Sequence, residues 1–169
     1  MAGVRRRDCV ILAGLVGAWL LQPVGANADQ AFARFLPLFV DLDGWQGNKP
    51  DGVSMDMPGN SMTSAKRDYT RGSSQLHATV LMGPAAAGAL APTKTPMNIE
   101  TGEGHMITTT LNGFPATKTY NIPQKSGAFL IALGPSALFT VSYIGISEDD
   151  ALALASKFDW KAIQAATQK

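Results

Sequence analysis

Leu76-His77-Ala78-Thr79-Val80-Leu81-Met82 is the stretch whose reading decides the fold. Leu76, Ala78, Val80 and Met82 fall on one side of an extended chain and His77 and Thr79 on the other, the two-residue period of a half-buried strand. Just before it, Arg71-Gly72-Ser73-Ser74 is a connection of hairpin size, across which Lys66 to Thr70 can pair back. Strand-like runs return downstream at 105–111, 116–122, 128–133 and 138–144. Asn112-Gly113, Gln124-Lys125-Ser126-Gly127 and Gly134-Pro135-Ser136 separate them, all turn chemistry. Connections this short join neighbouring strands in antiparallel order, because a parallel pair needs a long crossover.

Helical signals flank these runs. Ala31 to Phe39 predicts a short helix interrupted at Pro37, and Pro84 to Leu90 an Ala-rich turn that Pro92 and Pro96 keep from extending. Ser147 is an N-cap residue followed by Glu148, Asp149 and Asp150, acids that suit the positive end of a helix. A second helical stretch, Trp160 to Ala166, follows Asp159. Between Asp41 and Asn60, glycines, prolines and aspartates crowd together and predict a loop built of turns. The expected fold class is therefore α+β: a mainly antiparallel sheet of about six strands with helices at both ends packed on one face.

The N-terminus reads as an export signal. Arg5, Arg6 and Arg7 precede an apolar run from Cys9 to Leu21, too short to span a bilayer, and Ala26-Asn27-Ala28 supplies a small-x-small cleavage pattern. The expectation is a signal peptide over 1–28, cleavage after Ala28, and one domain over 29–169 in the periplasm with no stable membrane anchor. Arg6-Arg7 also fits a twin-arginine signal. Without the signal, 11 basic side chains face 12 acidic ones, and the single Cys of the chain is gone. A balance near neutrality, with no basic run interleaved with aromatics, gives no footprint for nucleic acid. Loss of the Cys excludes disulfides and thiolate chemistry.

Asp43-Gly44-Trp45, Tyr69 and Phe158-Asp159-Trp160, in that order around a Met/Gly-rich loop and hairpins, resemble small secreted bacterial proteins of unknown function. In outline they are also similar to the Mog1/PsbP-type α/β sandwich. That resemblance implies no catalytic residues. A second resemblance is local: Leu36 to Gly44 looks like the first motif of haloacid dehalogenase-type phosphatases, with Asp41 as nucleophile, Asp43 as acid/base and Mg²⁺ between them. Pro37 in the strand, Trp45 after the motif and the short turns downstream all oppose it.

Two further groupings carry chemistry. Glu103 and His105 share a face at a strand end, where a surface ion pair is the expectation. Met55, Met57 and Met62 crowd one loop, and with His105 they are the candidate metal ligands, a soft Met₂His or Met₃ set suited to Cu(I) or Ag(I). The competing account is that these methionines pack over the sheet. Gly-x-Ser-x-Gly, His-Glu-x-x-His and phosphate-loop motifs are absent from the sequence. The expected function is a non-catalytic periplasmic binding or accessory domain without a cofactor, its partner a protein or a small apolar ligand. A copper-binding protein and the phosphatase are the alternatives.

Overall fold

The computed structural model describes residues 31–168, so the expected signal peptide, its cleavage point and the twin-arginine pair lie outside the described residues. Nine strands form one antiparallel sheet: β1 (Gln46–Gly47), β2 (Asp51–Met55), β3 (Met62–Arg71), β4 (Ser74–Met82), β5 (Asn98–Thr101), β6 (Gly104–Leu111), β7 (Phe114–Asn121), β8 (Ser126–Gly134) and β9 (Ala137–Ile144). Their order is β1-β3-β4-β9-β8-β7-β6-β5, with β2 also on the outer edge of β3. Four short helices complete the described chain: α1 (Pro84–Ala89), α2 (Ala91–Lys94), α3 (Glu148–Ala155) and α4 (Trp160–Thr167).

The α+β class with about six strands is thus corrected to a mainly β fold. The three additional strands are those with the least side-chain signal. β1 and β2 lie in the Gly/Pro/Asp run expected to be loop, and β5 is four polar or exposed residues after Pro96. Each lies at an edge of the sheet and is held by backbone pairing to one neighbour, which demands no apolar alternation. The expected N-terminal helix is a single 3₁₀ turn at Leu36–Leu38 with Pro37 inside it. The placement of helices on one face is corrected too. α3 and α4 pack on one face with Phe35 and Phe39, while α1 puts Ala86, and its C-cap Leu90, against Leu138 on the other.

Local chemistry explains the tight turns. Asn112 (φ 49°) and Gly113 (φ 86°) are the only residues between β6 and β7, and two positive φ angles in a two-residue loop match the right-handed twist of the strands. Ser147 Oγ accepts from the Asp150 amide at 3.2 Å and Asp159 from the Ala162 amide at 2.9 Å, capping α3 and α4.

Phe158, on the link between those helices, is the hub of the core face. Its ring meets Phe139 at 5.4 Å, Tyr69 at 6.1 Å and Phe39 at 6.4 Å, edge to face in each case. Trp160 packs on Phe114 at 6.0 Å while its Nε1 donates to the Ala155 carbonyl at 2.8 Å. Burying each such ring contributes roughly 1.5–3 kcal/mol. Tyr69 donates its hydroxyl to the Val40 carbonyl at 2.8 Å, and Arg67 donates to the carbonyls of Phe39 and Asn48. Together they bind the 39–48 segment to β3. Phe158, Trp160 and Tyr69 therefore serve the core.

Candidate functional site

At one end of the sheet the β6–β7 turn, the β8–β9 turn, α2 and α4 converge around a cleft of about 940 Å³. Its apolar wall comes from Leu90, Phe114, Ala132 and Leu133, of which all but Ala132 are buried. Pro92 at the start of α2 and Pro96 just beyond it confine this helix to one turn, which packs against β7 and its neighbours β6 and β8. α4 is held from the other side: Gln164 Nε2 donates to the Leu133 carbonyl at 2.8 Å. The Thr93 hydroxyl donates to the Leu90 carbonyl at 2.7 Å, so this polar atom in the wall is already satisfied.

The charged side chains that line the cleft are Lys94 and Lys161, both exposed, and no carboxylate lines it. Lys161 stands in the first turn of α4, where a cation adds to the positive end of the helix dipole rather than offsetting it. The volume lies within the range that takes a small organic ligand. An apolar wall with cations on its lining can hold a hydrocarbon body.

The methionines and the histidine expected to share a metal are divided. Met55 and Met62 are direct cross-strand partners of β2 and β3, so their Cβ atoms stand about 5 Å apart. Met55 and Met57 are exposed, and Met62 is half-buried. His105 belongs elsewhere. It lies in β6, five strand spacings from β3, roughly 24 Å along the sheet. Register also places it on the core face, whereas Met55 and Met62 share the other.

Nor does His105 pair with Glu103. Its Nε2 lies 3.1 Å from Glu148 Oε1, and Lys118 Nζ lies 3.3 Å from the same oxygen. This latch ties the first residue of α3 to β6 and β7. Tyr143 lies on the same face; burial first, then the Glu148 charge, pushes its phenol well above the ordinary value. Among the described residues no three His, Cys, Asp or Glu side chains gather as a metal site.

The phosphatase motif finds no support in its surroundings. Asp41 follows a 3₁₀ turn instead of a strand, its side chain is 92% exposed, and Arg67 pairs with it. All pairings in the sheet are antiparallel, whereas that family's chemistry needs a parallel sheet with crossover helices.

Sequence reasoning missed the cleft because its walls come from four separate segments, each of which reads as ordinary core or surface. The one local signal was Lys161, a cation directly after the helix-starting Asp159-Trp160. Compared with protein-family models, curated proteins and solved structures, the chain matches none, and its own geometry carries the functional reading.

Proposed function

We propose that this protein is a non-catalytic binding domain that acts in the periplasm and carries a small apolar ligand in the cleft between α2 and α4. The observation that supports this reading is the cleft itself: about 940 Å³ against Leu90, Phe114, Ala132 and Leu133. Transfer of hydrocarbon out of water drives such binding, at about 25 cal/mol per Å² of apolar surface removed. Ala132→Phe should crowd the apolar wall of the cleft and weaken uptake of a neutral probe such as decanol, measured by calorimetry. Pro135→Trp, at an exposed turn of the same cleft, repeats the block without altering the core. Decanol binding unchanged in both folded variants would sink the reading.

The cross-strand pairing of Met55 with Met62 favours a second reading, a Cu(I) or Ag(I) site of three thioethers completed by Met57. Ag(I) at about 100 times its Kd should stabilise the protein by about 2.7 kcal/mol. Met55→Leu/Met57→Leu keeps the volume and removes two sulfur donors. Equal melting curves with and without Ag(I) would reject this reading.

A further inference from the structure

We infer that the ligand of the cleft is a free single-chain amphiphile with an anionic head, held at Lys94 and Lys161 while its chain lies against Leu90, Phe114 and Leu133. This rests on the proposed binding role and goes beyond it by naming the ligand class. The argument is charge complementarity. Two ammonium groups and no carboxylate line a cleft whose remaining wall is largely apolar. Neither lysine has an ion-pair partner among the described residues, although the chain as a whole is close to neutral. The nearest acid in the sequence, Asp159, commits its Oδ1 to the Ala162 amide as the cap of α4. That carboxylate offsets the positive end of α4, so the attraction for an anion at the mouth comes from Lys94 and Lys161 themselves.

A neutral hydrocarbon would use the wall and ignore the lysines. A cationic amphiphile would be repelled. A carboxylate or sulfate on one alkyl chain uses both, and a wall without further charged side chains suits a plain chain.

The test is calorimetry of the purified protein with three decyl probes below their micelle concentrations: decanoate, decanol and decyltrimethylammonium. Decanoate should bind at least about tenfold more tightly than decanol, and the cation most weakly. Lengthening the chain should tighten binding by up to about fourfold per CH₂, the fold-change equivalent of 0.8 kcal/mol. Lys94→Gln/Lys161→Gln changes only exposed side chains; it should erase the preference for decanoate and leave decanol binding intact.

Equal affinities for decanoate and decanol in the parent would overturn the head-group assignment while the apolar cleft stands. No binding of any decyl probe would instead remove the proposed function itself. Binding to vesicles of anionic phospholipid without binding of monomeric decanoate would overturn the free amphiphile in favour of a membrane surface.

Discussion

The two faces of the sheet are covered to very different extents. On one, α3, α4 and the 35–45 segment close over a continuous core running from Ala65 and Tyr69 to Phe114. On the other, α1 and α2 cover only one end, where Ala86, Leu90 and Leu138 make a small separate cluster. Beyond that cluster the second face carries Thr79, Thr140, Ser142 and Thr119, partly exposed. Stability thus concentrates on one face, and the cleft opens where the thin cover of the other meets the edge of α4. A binding site at the border of the main core can be reshaped without dismantling the fold.

The largest expected effect contrasts the two clusters. Phe158→Ala removes the ring that joins Phe39, Tyr69 and Phe139, and should cost about 3–5 kcal/mol in urea unfolding. Leu90→Ala lies beside an existing cleft, so its cost should fall near 2 kcal/mol, at the low end for such truncations. Equal losses would mean the second face is as tightly built as the first, and the comparison would fail.

Two tyrosines of the core face sharpen it further. Burial pushes the Tyr69 phenol up to about 12, partly offset by Arg67 beside it. Unfolding returns it to about 10. Its contribution to stability is therefore complete below pH 10 and disappears as pH rises from 10 to 12. Tyr69→Phe should cost about 1 kcal/mol at neutral pH through the lost bond to Val40, and should flatten that part of the alkaline slope. A parent and variant with parallel stability profiles between pH 9 and 12 would contradict it.

The smallest effect belongs to Tyr143. Its hydroxyl is buried without a hydrogen-bond partner among the described residues. Tyr143→Phe should change stability by under about 0.5 kcal/mol or raise it, because an unsatisfied polar group is removed. A loss above 1 kcal/mol in thermal unfolding would show that the hydroxyl has a partner. The ring itself is accommodated by Gly127 directly opposite, where a Cβ would sit 2.6 Å from the hydroxyl and 2.1 Å from the Thr119 carbonyl.

The central strands and their turns were legible in sequence because the signals are local. Leu76, Ala78 and Val80 alternate inward as their pattern implies, and Asn112-Gly113 makes the turn its chemistry favours. Edge strands were not legible. Val53 and Met55 do alternate, but they are exposed, and β2 is placed by its backbone pairing with β3 and by Ser54, which bonds the Phe32 amide and Thr63. The Met55–Met62 pairing depends on that same strand, so proximity in sequence suggested a cluster without its register. His105 was grouped with the methionines on chemistry alone, and sheet order separated them. The cleft is the extreme case, since Leu90, Phe114, Leu133 and Lys161 are brought together only by tertiary packing.

The strand order has a consequence for how the chain assembles. β3–β4 and the run β5 to β9 are each built from neighbours in sequence, but β4 must pair with β9, from Gln75 opposite Ile144 to Met82 opposite Ala137. Closing that seam costs the entropy of a long loop before any contact rewards it. A chain emerging from its N-terminus would hold β4 with one unpaired edge until Ile144 is available. That edge belongs to the most apolar alternating strand of the first half, which makes it a template for pairing with another copy. In pulsed hydrogen exchange during refolding, amides along the β4–β9 seam should gain protection after those of the β6–β7 hairpin. The same seam marks where slow assembly would turn into aggregation.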